Sequence, residues 1–199
     1  MKNIPFLLIY SRIFIAIVIA LLAWSQPENH AFLIAVLMII GLLTDVFDGI
    51  IARKLKVSSE KLRIWDSNVD HFFWVVVIVA IFYLRFEVVR PLLLPILILV
   101  ALEALAYIIS YLKFKKSIAT HSLLAKFWTL TLLVFLIELT LNNDNKSFYF
   151  CFWIGLISRL EIIGIILRLK KWVTDVPSIW VVGKLNRGEK IKKNKLFNS

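Results

Sequence analysis

Six stretches of this 199-residue chain, roughly 4–25, 31–53, 65–86, 89–112, 121–141 and 147–169, are each long and almost wholly apolar. Their length is the constraint, because about twenty residues of α-helix cross the hydrocarbon core of a bilayer. Backbone N–H and C=O groups in lipid find no water, so each stretch must close its hydrogen bonds on itself and is expected to be a helix. Hydrophobic residues make up 60 % of the chain, against about 45–50 % in soluble domains. An excess spread along the whole length points to a membrane protein rather than a soluble one with a large core. No internal repeat, low-complexity tract or second domain is visible, so one membrane domain is expected over 1–199, with a basic cytoplasmic tail from about 170.

The first stretch follows Lys2 as a signal peptide would, but it runs into "AWSQPENH" without a small-x-small cleavage site and is read as a retained helix. The single cysteine, Cys151, sits inside an apolar stretch. It allows no disulfide within one chain and no cysteine-based metal site, and is read as packing.

The net charge of +11 suits either nucleic acid or the cytoplasmic side of a membrane. Position decides between them. Arg53, Lys54, Lys56, Lys61 and Arg63 surround the second connection, and Lys113, Lys115 and Lys116 the fourth. Eight more lysines and arginines lie between Lys170 and Lys195. The alternate connections are poor in positive charge: "SQPENH" has none, the third has Arg85 and Arg90, and "NNDNK" has Lys146. The positive-inside rule places both termini and the 54–63 loop in the cytoplasm, which accounts for the +11 with no nucleic-acid partner, and the tail "KLNRGEKIKKNKLFNS" is expected to lie along anionic headgroups. Trp24, Trp65, Trp172 and Trp180 fall near stretch ends and suit interfacial anchoring, while Trp74, Trp128 and Trp153 are expected to pack.

Between the second and third stretches lies "DVFDGIIARKLKVSSEKLRIWDSNVD". Asp45 and Asp48 are three apart and Asp66 and Asp70 four apart, spacings that put each pair on one helix face. A short connection makes the two helices antiparallel neighbours, so the pairs can converge. Four carboxylates beside hydrocarbon repel one another and need positive charge. Loop lysines and Arg53 would supply part of it as interfacial salt bridges. Oxygen-only ligands in this grouping also suit a hard divalent cation, Mg²⁺ or Mn²⁺. Gly49 follows Asp48 directly and lets a ligand approach the backbone; Ala52 lies one turn on, and Arg53 can pair with a phosphate.

In register, Asp45, Asp48, Gly49, Ala52, Arg53, Asp66 and Asp70 resemble the signature of the CDP-alcohol phosphatidyltransferases, matching seven of its eight fixed positions over 26 residues. The eighth, a glycine that lies near the cytidine in that family, is Leu62 here. "NIP" at 3–5 with Arg12 is similar to the family's amphipathic start, and "KFWT" from Lys126 to Thr129 resembles a Lys-x-x-Thr of phosphatidylglycerophosphate synthase-like members. The resemblance implies six membrane helices with cytoplasmic termini, a short N-terminal interfacial segment and a homodimer. It implies a CDP-linked lipid donor, an acceptor hydroxyl and release of CMP. Asp45, Asp48 and Asp66 would be the principal ligands of two metal ions. Asp70 would touch the second ion and act as general base. Gly49, Ala52, Arg53 and Ser59 would line the CDP pocket, Ser59 having helix capping as its other reading.

Lys126 and Arg159 are the candidates for a phosphorylated acceptor, since ionisable residues within membrane spans are functional candidates by default. Arg159 has a second reading, a buried pair with a glutamate, for which Glu103, Glu138 and Glu161 are available. Two other function classes remain beside the transferase. One is a non-catalytic lipid-binding or scaffold protein, favoured by Leu62. The other is a cation transporter, disfavoured because transporter ion sites lie near the bilayer midplane rather than at one edge.

Overall fold

The computed structural model describes residues 4–55, 60–116, 118, 122–173 and 176–189, with the backbone alone for Ile4, Arg53, Glu60, Lys61 and Arg63. Regular structure among the described residues is entirely helical: α1 Ile4–Ser25, α2 His30–Lys54, α3 Glu60–Leu84, α4 Phe86–Val89, α5 Leu93–Phe114, α6 Leu123–Asn142, α7 Phe148–Arg168 and α8 Val182–Asn186. Two 3-10 turns, Arg90–Leu92 and Ile179–Val181, precede α5 and α8. Six segments are long and apolar enough to cross a bilayer: Pro5–Ser25, His30–Ala52, Ile64–Leu84, Phe86–Phe114, Leu123–Asn142 and Phe148–Arg168.

These spans lie within a few residues of those expected from the sequence, and the differences have local causes. The third connection shrinks to Arg85, because α4, the 3-10 turn and α5 together form one span. Pro91 has no N–H to give an α-helical turn, and the chain passes it in 3-10 geometry at the head of α5, where proline is tolerated. The Arg85 guanidinium reaches across to donate a 2.8 Å bond to the Thr140 carbonyl. At the amino end, α1 runs without a break from Ile4, and the residues before it lie outside the described ones. Lys115 and Asn143 follow α5 and α6 in left-handed conformation, the usual way of turning a chain away from a helix end.

The chain forms two compact units. The first holds residues 1–91 and 133–145, the second residues 92–132 and 146–199. In the first unit, α1 packs along both α2 and α3, and its core includes Ile19, Ile34, Met38, Val77 and Ile81. Gly41 of α2 makes a particularly close contact with the Phe73 ring of α3, and a Cβ there would stand 2.8 Å from the ring's Cε2.

In the second unit, α5 packs on α7 through Ala106, Ile162 and Ile166. Ser122 caps α6, accepting a 3.1 Å bond from Ala125 N–H. The basic segment after α7 begins as folded structure. Val176 and Val182 bury themselves against Ile165 and Leu169, with Ile179 and Leu185 packed alongside. Hydrogen bonds tie this segment to its neighbours: Leu123 N–H donates to Pro177 O, Ile179 N–H to Glu161 Oε1, and Asn186 Nδ2 to Arg168 O.

Outward faces of the spans are apolar as well. Leu7, Phe14 and Leu21 on α1, Leu94 and Leu97 on α5, and Leu160 on α7 are all exposed. Apolar surface this extensive marks a lipid-facing protein rather than a water-soluble one. Trp153 belongs to that outer face instead of packing inward, and Trp24 is exposed beside Tyr83.

Candidate active site

The start of α1, the end of α2 and the start of α3 meet in the first unit. Ile9, Ala52, Leu62 and Val69 form a buried apolar cluster there, with Ile13 packed against it. Beside this cluster the two carboxylate pairs converge on Arg12, each pair on one helix face as its three- or four-residue spacing requires. Asp48 is almost wholly buried, whereas the side chains of Asp45, Asp66 and Asp70 are each about one third exposed or less. The site therefore has a closed apolar floor and an open polar side.

At the centre stands Arg12 of α1, 0 % exposed. Its Nη1 donates to Asp45 Oδ1 at 2.6 Å and lies 3.6 Å from Asp70 Oδ1. Its Nη2 donates to both Asp48 Oδ2 and Asp66 Oδ1. One guanidinium thus bridges four carboxylates from two helices. Removing one side of a buried, charge-assisted pair like this costs about 3–5 kcal/mol, since the remaining charge stays out of water without compensation. In the sequence, Arg12 stands out only through the likeness of the amino-terminal segment to the family's start. The usable signal was charge complementarity: a lone arginine within the first apolar stretch needs anionic partners, and the nearest stretches carry four.

The donor set fits a divalent cation. Asp45, Asp48 and Asp66 each offer an oxygen, and these lie within 4.8 Å of one another, a span that a cation binding oxygen at about 2.0–2.6 Å can bridge. Asp70 stands outside this trio. Hard carboxylate oxygens without sulfur or imidazole are the ligands Mg²⁺ and Mn²⁺ prefer.

Of the remaining expected residues, Gly49 is half-buried on α2. Ala52 is buried against Leu62, Ile9 and Val69. Leu62, where the signature has glycine, is thus a packed core residue. The Arg53 side chain and Ser59 lie outside the described residues.

Lys126 and Arg159 belong to the second unit. Lys126 is exposed in the first turn of α6. Arg159 is buried, its Nε lying 2.5 Å from Glu103 Oε2 and its guanidinium 4.2 Å above the Trp128 ring. This is the glutamate pairing that the sequence left open, joined by a cation–π contact. Gly155, one turn before Arg159, lets the Trp128 indole lie against the α7 backbone.

No curated protein and no solved structure matches the chain significantly. The model of one protein family, CDP-alcohol phosphatidyltransferase, matches residues 2–169. That range takes in α1, the carboxylate cluster and all six spans, and ends where the folded basic segment begins. With its helical architecture, its apolar spans and its converging aspartates, the chain belongs to the CDP-alcohol phosphatidyltransferase family.

Proposed function

We propose that this protein is a divalent-cation-dependent transferase of phospholipid biosynthesis. It moves the phosphatidyl group of a CDP-linked lipid such as CDP-diacylglycerol to the hydroxyl of a small alcohol or phosphorylated polyol, and CMP leaves. The observation that carries this reading is the convergence of four aspartates from α2 and α3 on one point beside α1. Asp45, Asp48 and Asp66 would hold the metal, with Asp70 at the edge of a second position. Two Mg²⁺ or Mn²⁺ ions, when bound, supply charge neutralisation for the pyrophosphate and the departing CMP. Asp70, standing off from the trio, takes the acceptor hydroxyl proton on a carboxylate oxygen. Holding donor and acceptor in line accounts for much of the acceleration in such transfers.

Gly49, Ala52, Arg53 and Ser59 line the CDP moiety in this proposal, and Lys126 and Arg159 serve a phosphorylated acceptor. The site and both termini face the cytoplasm at the cell (inner) membrane, as the lysine and arginine distribution supports. The active form is a homodimer. A non-catalytic lipid-binding role is the second reading, favoured by Leu62 filling the space beside Ala52.

Purified protein in nanodiscs, supplied with CDP-diacylglycerol, Mg²⁺ and a panel of acceptors, tests the proposal by CMP release. Turnover should need the metal, and Asp70→Asn should slow it by about 10²-fold or more, the usual worth of a general base. Absence of CMP with every acceptor, or full activity in Asp70→Asn, would sink the transferase reading. Cross-linking in the same nanodiscs reports the dimer, and labelling of cysteines introduced near residue 184 from either side of sealed vesicles reports the topology.

A further inference from the structure

The guanidinium of Arg12 engages the same three aspartates whose oxygens are grouped closely enough to ligate a cation. Each Nη joins one carboxylate of α2 to one of α3: Nη2 joins Asp48 to Asp66, and Nη1 lies between Asp45 and Asp70. Arg12 is fully buried, yet its Nε has no hydrogen-bond partner among the described residues. The polar contacts of the guanidinium are therefore made through its two Nη atoms, with the carboxylates. Arg12 brings one positive charge to the four carboxylates it touches, whereas a divalent cation brings two.

We propose that Arg12 is the resident counter-ion of this site and that a divalent cation enters by exchange with it, not by addition to an open cradle. The inference rests on the metal reading proposed above and adds to it a built-in competitor. In the metal-free protein, Arg12 holds α2 and α3 together across α1. When metal enters, the guanidinium gives up its contacts with the trio and becomes available to an anion at the open side of the site, where a charged planar donor suits a phosphate. The apparent metal affinity is lowered by the fraction of molecules in which Arg12 occupies the cluster.

The test is Mn²⁺ binding to the whole protein in nanodiscs, followed by electron paramagnetic resonance, with thermal unfolding alongside. Arg12→Ala should bind Mn²⁺ about tenfold or more tightly than the wild type, as removal of a dominant competing state requires. Without metal it should melt below the wild type, and Mn²⁺ should restore it. Millimolar guanidinium should weaken Mn²⁺ binding in Arg12→Ala, while equal KCl should not. Arg12→Lys keeps the charge but not the fork, so it too should bind Mn²⁺ more tightly, which separates exchange from simple repulsion and serves if the alanine variant does not fold. Affinity in both variants equal to or weaker than the wild type overturns the proposal. Absence of Mn²⁺ binding in wild type and variants overturns the metal reading itself, and this inference with it.

Discussion

Replacing Gly41 with alanine should loosen the site without touching any residue in it. Gly41 lies one turn before Asp45 on α2, and Phe73 lies three residues after Asp70 on α3. An alanine Cβ would meet the Phe73 ring at 2.8 Å from Cε2 and 3.0 Å from Cε1, and closer still to Cζ, where ordinary contact begins at 3.4 Å. The ring must retreat by about 0.6 Å at Cε2 and further at its tip. Phe73 is 1 % exposed, so the ring cannot swing away freely and the helices must part. Overpacking of this kind costs about 1–3 kcal/mol. Because the contact sits next to both carboxylate pairs, the same separation pulls Asp45 and Asp48 away from Asp66 and Asp70. Gly41→Ala in nanodiscs should therefore show a lower melting temperature, weaker Mn²⁺ binding and slower CMP release. The double variant Gly41→Ala/Phe73→Leu should recover part of each loss, with a coupling energy of about 0.5–3 kcal/mol across the cycle. Wild-type stability and Mn²⁺ affinity in Gly41→Ala would refute the claim that this contact sets the α2–α3 spacing.

Three further outcomes follow from packing. Leu62→Ala removes a core side chain between α1, α2 and α3 and should cost about 2–5 kcal/mol in thermal or denaturant unfolding, with CMP release retained below the melting temperature; a neutral effect on stability would show that Leu62 is not packed. Arg159→Gln leaves Glu103 without its guanidinium partner and should destabilise by about 3–5 kcal/mol, while Arg159→Gln/Glu103→Gln should recover most of it in the same unfolding assay. Lys113 Nζ donates to the Ile166 and Leu167 carbonyls at 3.0 and 2.6 Å, at the end of α7. Lys113→Met should cost about 1 kcal/mol or less, because the side chain is exposed, and should speed hydrogen exchange locally at the last turn of α7.

The apolar spans were legible because length and composition are imposed by the bilayer itself. The carboxylate cluster was legible because Asp45 to Asp48 and Asp66 to Asp70 carry helical spacing within one stretch. Arg12 escaped because its partners lie 33 to 54 residues away, a convergence that only the packing of α1 on α2 and α3 creates. The folded segment after α7 escaped for another reason. Its two helical pieces, Ile179–Val181 and Val182–Asn186, are too short to show a period. They are held by tertiary contacts of Val176, Ile179 and Val182. Leu62 stood out in the sequence as a departure from a motif, but its burial against Ala52 needed the fold.

The pairing of Arg12 with aspartates on the next two helices also bears on how the chain enters the bilayer. The α3 span is the least apolar of the six, with a mean hydropathy of 1.7 against 2.6 for the α1 span. It carries Asp66 and Asp70 in its first two turns, and a carboxylate costs at most about 2.5–3.5 kcal/mol on insertion scales, the value for a helix centre. The strongly apolar α1 brings the compensating cation into place before α2 and α3 are made. Partition of the third helix into lipid is thereby linked to the presence of the first, and an Arg12 variant should insert α3 less efficiently, read as altered membrane integration of nascent chains. That outcome would make the first three helices one unit of insertion, assembled around a single guanidinium.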